Sequence, residues 1–347
     1  MLSPYEALDA TALPARAHPS SLLKFAFELL FAIVLSLTNG APSLVAQEIE
    51  SDDVFRVRTD LVTVPLIVTD SRGRRVVGLT ETDFVLQAEG QAQKIAFFAI
   101  GTSRVALTFL IDSSGSAREY LSDEREAALS LLSRFGSQSE VSVLQFSDRP
   151  RIVVPFSVNM GEARKGFDFP SLSGRRTAIF DAAMAALELM DQRKVDPTER
   201  RIVILTSDGL DNVSTVKASR VIEHARRNSV AFYVIHFPVF TPQGDRLAPR
   251  RAASGFRDLA EKTGGQYFVV GDAQSSLATH RKHDLSQVFR TIEQDLAAQY
   301  LLGFYPDEVS RDGRRLEVSF SRKVHGYRIN TLRRAYRLDP SVKEPSR

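Results

Sequence analysis

The sequence DSSGS occupies residues Asp112–Ser116, directly after the apolar run VALTFLI at residues 105–111. An apolar run of this length is typical of a buried strand, and the polar stretch would form the loop that leaves it. Asp112, Ser114 and Ser116 can point the same way, while the glycine allows a tight backbone path. Oxygen ligands of this kind suit a hard divalent cation, so the loop is a candidate metal site. The alternative is that Asp112 and Ser116 only cap a following helix.

Beyond this strand, apolar runs alternate with amphipathic helical patterns. We predict strands at Val141–Phe146, Ile202–Leu205 and Val230–Phe237, and helices between them, including Glu119–Phe135 and one that begins near Asp181. This alternation predicts an α/β domain, a three-layer Rossmann-like fold with a mostly parallel central sheet. Ligands of such sheets bind outside the carboxyl ends of the strands, where the DSSGS loop lies.

The two ends of the chain have a β pattern instead. Residues 54–100 alternate apolar and polar positions between turns, which predicts about four strands. The same pattern returns after Gln299, so the last strands could complete the sheet begun at the start. The α/β domain would then be an insertion between two halves of one sandwich. The alternative is a small separate β tail.

Two further stretches are predicted to be surface loops because of their composition. Thr241–Ala253 is rich in proline, glycine and arginine, and Asp272–His283 is polar. His236 lies inside a strand-like run, where a core position is expected rather than a role as a metal ligand.

Two later segments carry oxygen ligands at matching boundaries. Thr177 stands just before a helix, and Asp208 stands just after the strand that ends near residue 205. Together Asp112, Ser114, Ser116, Thr177 and Asp208 resemble the metal-ion-dependent adhesion site (MIDAS) of the von Willebrand factor A (VWA) domain. The pattern of that site is Asp-x-Ser-x-Ser, a distant Thr and a distant Asp, and all five positions are filled here.

The resemblance extends beyond the metal motif to the secreted VWA-related proteins of acidobacteria. It is carried by Asp83-Phe84, Glu89-Gly90 and Gln299-Tyr300, covers roughly residues 54–337, and implies a VWA domain flanked by an immunoglobulin-like β region. The predicted division of the chain is residues 1–46 as a signal peptide, 54–100 as the first part of the sandwich, 104–298 as the VWA domain and 299–337 as the C-terminal β segment.

The resemblance also implies the chemistry of the site. The family binds Mg²⁺ or Mn²⁺ in an octahedron of oxygens, with Ser114, Ser116 and Thr177 as direct ligands and Asp112 and Asp208 acting mainly through bound waters. Neutral hydroxyls leave the positive charge of the ion under-compensated, so its open position attracts an external carboxylate. The implied partner is a protein that presents an Asp or Glu. Asp211 would cap the next helix or lie close behind the site.

Composition excludes several other classes of site. The formal net charge is only +3 and the paired arginines are scattered, so nucleic acid is not an expected partner. The chain has no cysteine, which excludes disulfides and thiolate zinc sites. Only His280 and His283 lie close together in sequence, and neither is in a metal segment, so a hard-oxygen metal is expected rather than zinc.

The N-terminal region predicts export. Phe25–Leu37 is a short apolar run that is preceded by Arg16 and Lys24 and followed by Ala46. It is too short to span a bilayer comfortably, which favours a signal peptide cleaved near Ala46. A retained membrane anchor is the alternative. Either way, we expect the body of the protein outside the cytoplasm, in the periplasm, in the envelope or secreted.

The functional hypothesis is therefore a non-catalytic, metal-dependent protein-binding or adhesion module. The alternative is a metal-dependent hydrolase or phosphoryl-transfer enzyme of the envelope. No nucleophile elbow, phosphate loop or His-Glu-x-x-His motif occurs, and no histidine lies in either metal segment. A third hypothesis, a metal-site subunit of an ATP-driven assembly machine, conflicts with the export signal.

Overall fold

The computed structural model describes residues 61–101, 104–114, 139–167, 176–194, 196–274, 284–306, 313–321 and 326–336. The predicted signal peptide, the predicted helix Glu119–Phe135 and residue Ser116 lie outside this part of the chain. All of the described residues belong to one compact unit, Arg58–Arg347.

A six-stranded sheet forms the centre of the α/β domain, in the order β12-β9-β8-β5-β6-β7. Its strands are β5 (Val105–Asp112), β6 (Glu140–Phe146), β7 (Pro150–Ser157), β8 (Arg200–Ser207), β9 (Val230–His236) and β12 (Tyr267–Val269). All neighbours are parallel except β7, which pairs antiparallel with β6 at one edge. The predicted mostly parallel sheet is confirmed.

Helices cover both faces of this sheet, because its strands are buried on both sides. The helices are α1 (Met160–Lys165), α2 (Ile179–Asp191), α3 (Ala218–Arg227), α4 (Phe256–Glu261) and α5 (Ser286–Ala297). One core packs α5 against residues such as Leu107 and Tyr233, and the other packs α2, α3 and α4 against residues such as Leu110 and Phe232. The predicted three-layer α/β fold is confirmed.

The stretch Thr241–Ala253 is not simply a loop, so that prediction was wrong. It contains most of an antiparallel hairpin, β10 (Phe240–Gln243) and β11 (Arg246–Pro249), joined by a two-residue turn at Gly244 and Asp245. We call Phe240–Pro249 the β10–β11 hairpin. Of the other predicted loop, Asp272–His283, most lies outside the described residues.

Two four-stranded sheets flank the α/β domain, in the orders β15-β1-β13-β4 and β16-β14-β2-β3. Their strands are β1 (Val62–Thr69), β2 (Phe84–Ala88), β3 (Gln91–Gln93), β4 (Phe97–Ile100), β13 (Tyr300–Phe304), β14 (Arg314–Phe320), β15 (Arg328–Thr331) and β16 (Ala335–Tyr336). Each sheet combines strands from both ends of the chain: β1 pairs with β13 and β15, and β2 pairs with β14. A flanking β region is therefore present. The exact domain boundaries stay predictions.

A buried polar contact joins the β region to the α/β domain. The carboxylate of Asp295 on α5 accepts a hydrogen bond from the hydroxyl of Tyr233 at 2.7 Å and pairs with Arg75 from the β region. Close packing adds to it, because a Cβ atom on Gly264 would overlap Leu332. The two regions thus share an interface that contains both ionic and apolar contacts.

Candidate metal site

The parallel register of the central sheet brings the predicted metal segments to one edge. Ile111 on β5 lies opposite Thr206 on β8, so Asp112 and Ser207 end neighbouring strands side by side. On the other side of β5, Asp112 lies opposite Phe146, the last residue of β6. Parallel strands must end together in this way, which is why residues far apart in sequence meet here.

Asp112 is the buried centre of the site, with 1% of its surface exposed. One carboxylate oxygen accepts the N–H of Ser114 at 2.9 Å, and the other accepts the hydroxyl of Ser207 at 2.7 Å. The Ser207 hydroxyl in turn accepts the N–H of Gly209 at 3.1 Å. Ser207 therefore connects the DSSGS loop to the loop that carries Asp208.

The electrostatics of Asp112 favour a cation. Burial raises the pKa of Asp112 from 3.8 to about 6, the hydrogen bonds from Ser114 and Ser207 oppose this shift, and the nearby charge of Asp208 adds to it. A buried carboxylate beside a second carboxylate is costly in the ionised form. A divalent cation between such groups would remove that cost and lower the pKa.

Thr177 is held against the Asp208 loop by a reciprocal pair of bonds with Asn212. The N–H of Thr177 donates to the side-chain oxygen of Asn212 at 3.0 Å, and the N–H of Asn212 donates to the carbonyl of Thr177 at 3.1 Å. Both bonds use the main chain of Thr177, so neither occupies its hydroxyl. We call this pair the Thr177–Asn212 clasp.

Asp211 has the capping role that was predicted, but for a different helix. Its carboxylate accepts the N–H of Phe180 at 3.2 Å, in the first turn of α2, and also binds the N–H and hydroxyl of Ser214. The helix that it caps precedes it in sequence, so the expectation of a cap on the next helix was wrong. This contact aligns α2, and with it Thr177, on the Asp208 loop.

His236 contacts the main chain of the Asp208 loop, a role that the sequence analysis missed. It ends β9 and is buried, its Nε2 lies 3.0 Å from the carbonyl of Asp208, and its Nδ1 contacts the Tyr267 hydroxyl. Burial lowers the pKa of His236, which favours the neutral ring with Nε2 donating to the carbonyl. No sequence signal marks this contact, because it joins two strands.

Gly209 is required by the same close packing. Its φ is +76°, and a Cβ atom would come within 2.9 Å of the Ala252 side chain and 3.1 Å of His236. A larger residue here would displace the Asp208 main chain.

The donor set fits a hard divalent cation. Asp112, Ser114, Thr177 and Asp208 are all buried, with 1–4% of their surfaces exposed, and they offer carboxylate and hydroxyl oxygens. Within the described ranges no group of three or more His, Cys, Asp or Glu side chains is arranged for a metal, so a site here would depend on hydroxyls. Oxygen ligands with retained waters are typical of Mg²⁺. The set of five ligands, including Ser116, stays a prediction.

The fold and this edge define a class: a parallel α/β domain with a hydroxyl–carboxylate site at the carboxyl ends of its strands. The model of the von Willebrand factor type A domain family matches residues 106–282. The chain therefore belongs to this family. No protein with a curated description matches it.

Several solved structures are similar to part of this chain at low identity. An aerotolerance-related membrane protein from Bacteroides fragilis is 15% identical, with a TM-score of 0.43 over 55% of this chain and 98% of that one. BatB from Bacteroides thetaiotaomicron is 16% identical, with a TM-score of 0.41 over 56% and 97%. Proximal thread matrix protein 1 from the mussel byssus, solved with a zinc-occupied MIDAS motif, is 16% identical, with a TM-score of 0.44 over 58% and 50%. These scores are too low to add to the family assignment.

No helix in the part of the chain that the structure describes is long and apolar enough to cross a membrane.

Proposed function

We propose that this protein is a non-catalytic, exported binding module that captures an acidic side chain of a partner protein through a divalent metal. The metal would be Mg²⁺ or Mn²⁺, held by Asp112, Ser114, Ser116, Thr177 and Asp208. When bound, the ion would supply an open position that attracts a carboxylate.

The observation that carries this proposal is the buried, bridged state of Asp112. A carboxylate with 1% exposure and a raised pKa destabilises the ionised, metal-free protein, and a chain would gain stability by replacing it with a neutral residue. Around it, Ser207 and the Thr177–Asn212 clasp fix the main chain of three separate segments. That arrangement costs stability and preorganises oxygen ligands, which is expected of a binding site.

The histidine beside the site does not support the enzymatic alternative. A hydrolase would need a general base within reach of the metal-bound water. His236 packs against Asp208, but its ring nitrogens contact the Asp208 carbonyl and the Tyr267 hydroxyl. It therefore has a positioning role and is not available as a base.

Export remains part of the proposal. The apolar run Phe25–Leu37 is its basis, and a metal-dependent contact with an external partner fits that location. The partner would be a protein, with membrane contact only through an uncleaved N-terminal segment.

Thermal unfolding of the full chain with Mg²⁺, Mn²⁺ or a chelator tests the metal site. We expect metal to raise the unfolding midpoint of the wild type and to have no effect on an Asp112→Ala variant, since the ion binds only the folded state. Asp148→Ala is the matched control, because Asp148 is an exposed acid on the neighbouring β6–β7 turn. An equal response of all three proteins, or no response at millimolar metal, would refute the site.

A further inference from the structure

We propose that a set of exposed arginines around the metal site is a docking surface for an acidic segment of the partner, rich in Asp and Glu on both sides of the residue that reaches the metal. The basic rim, as we define it, consists of Arg149, Arg176, Arg250 and Arg251. This inference rests on the proposed function and adds the sequence character of the partner.

The β10–β11 hairpin is fixed beside Asp208 at both of its ends. On the entering side, the N–H of Phe237 donates to the carbonyl of Ser207 at 3.0 Å. On the leaving side, the N–H of Ala253 donates to the carbonyl of Gly209 at 2.8 Å. Asp208 lies between these two carbonyls, so the segments that lead into and out of the hairpin are hydrogen-bonded on either side of Asp208.

The arginines of the rim come from three segments around this point. Arg250 and Arg251 lie on the leaving side of the hairpin, and the N–H of Arg250 donates to the carbonyl of Val239 at 2.7 Å, which holds their backbone in place. Arg176 directly precedes the clasped residue Thr177. Arg149 lies in the β6–β7 turn, where the carbonyl of Ser147 accepts the N–H of Ala178 at 2.7 Å.

The rim carries a net positive charge. All four arginines are exposed, and within the described segments none of them makes an ion pair within 4.0 Å. Two exposed acids, Asp148 in the β6–β7 turn and Asp245 in the hairpin turn, offset part of this charge. Arginine binds carboxylates through two parallel hydrogen bonds, so these side chains suit the flanking acids of a bound segment.

The hairpin is built to offer side chains rather than a strand edge. Pro242 on β10 and Pro249 on β11 lack the N–H group that another strand would need, so each edge has one donor fewer for strand addition. A partner that docks here would therefore be recognised by charge, and its approach would be accelerated by the positive field.

Binding of two fluorescent peptides to the full chain with Mg²⁺ tests the proposal at low ionic strength. One probe is oligoglutamate, and the other is oligoglutamine with a single central glutamate, which can use the metal but not the rim. The test variant is Arg250→Glu with Arg251→Glu. The control, Arg72→Glu with Lys94→Glu, makes the same charge change at exposed positions of the β region.

We expect the Kd for oligoglutamate to rise about tenfold in the test variant, and less as salt is added, since two surface pairs are lost. The Kd for the single-glutamate peptide should change less, and the control should stay within about twofold for both peptides. Unchanged unfolding midpoints would show that both variants fold.

Several outcomes would overturn the inference: no binding of oligoglutamate, an equal loss in the test and control variants, or an equal loss for both peptides. The proposed function is judged separately. If chelator abolishes binding and the rim variant has no effect, the metal proposal stands and the rim falls. If chelator has no effect and the rim variant weakens binding, the rim stands as an acidic-peptide surface and the metal proposal falls.

Discussion

The two ends of the central sheet use charge in opposite ways. At the amino ends of the parallel strands, carboxylates are matched with arginines: Arg193 pairs with Glu199 at 2.8 Å and also with Glu140, while Arg104 pairs with Asp196 at 2.9 Å. At the carboxyl ends, Asp112 and Asp208 lie together beside hydroxyl groups.

The pKa shifts follow this difference. At the amino end, burial lowers the pKa of Arg193, but its hydrogen bonds to Glu199 and Glu140 outweigh this effect. The pKa of Arg193 is therefore raised. Burial raises the pKa of Asp196, but the hydrogen bonds from Thr198 and the charge of Arg104 outweigh this effect. The pKa of Asp196 is therefore lowered. At the carboxyl end burial wins, and the pKa of Asp112 rises to about 6. The carboxylates of the amino end have arginine partners, although Arg200 at the start of β8 is buried with no partner for two of its nitrogens, and burial lowers its pKa to about 10. The two carboxylates of the carboxyl end lie beside each other, so a positively charged ligand would stabilise them.

The largest expected effect comes from removing an arginine from the ion pairs at the amino end of the sheet. Replacing Arg193→Met leaves Glu199, whose side chain is 1% exposed, next to Glu140 without its main counter-charge. We expect a loss of about 3 kcal/mol in unfolding free energy, because the buried charge of Glu199 keeps only the longer contact with Arg104 at 3.8 Å. Urea denaturation measures it, with the exposed Arg220→Met as the control. A loss below that of the control would show that this ion-pair network is not structural.

The next largest effect concerns pH in the metal-free protein. Because the folded pKa of Asp112 is raised from 3.8 to about 6, the stability from its protonation is present below pH 3.8 and is lost as pH rises through 6. The shift corresponds to about 3 kcal/mol. In chelator, the wild type should therefore lose about this much relative to Asp112→Asn between pH 4 and 7. Parallel stability curves for the two proteins would contradict the buried, metal-free state of Asp112.

A related prediction separates stability from binding at the same residue. At pH 7 in chelator, Asp112→Asn should be more stable than the wild type by about 1–3 kcal/mol, since it removes a buried charge of similar shape. Adding Mg²⁺ should stabilise only the wild type, and less so below pH 6, where protons compete for the carboxylate. Calorimetric melting curves measure both. An Asn variant that is less stable in chelator would indicate a purely structural Asp112.

The smallest expected effect comes from removing one hydrogen bond of the Thr177–Asn212 clasp at the carboxyl end of the sheet. Asn212→Ala removes the side-chain acceptor of the Thr177 N–H, so we expect about 1 kcal/mol lower stability. It should also weaken metal binding severalfold, because Thr177 is less well positioned. Mn²⁺ titration of Asn212→Ala and of Asn330→Ala, a control at an exposed asparagine on β15, measures the difference. Equal metal affinity would show that the clasp does not organise the site.

Much of the fold follows from sequence periodicity, and the exceptions have clear physical reasons. Fully buried strands such as β5 and β8 form continuous apolar runs, so they are visible in the sequence. The edge strand β7 is half exposed and contains two prolines, so its pattern predicted no strand. The β10–β11 hairpin was hidden in the same way, because Pro242, Gly244 and Pro249 are typical of a loop.

The candidate site was predictable only in part. The positions of Asp112 and Asp208 at strand ends follow from the α/β pattern, and the choice of Thr177 came from the family resemblance. Asn212, Ser207 and His236 were missed, because their roles are hydrogen bonds across segments that no local pattern records. The same holds for Asp211, whose helix lies earlier in the chain.

The placement of β1 has a consequence for the order in which the protein can be made. Leu66 lies opposite Tyr300 and Thr331, so the first strand finds its partners only when the last strands have been synthesised. The α/β domain between them is continuous in sequence and can collapse earlier. Until β13 and β15 have been synthesised, the apolar faces of β1 lack these partners. Completion of the β region therefore depends on contacts between residues far apart in the chain.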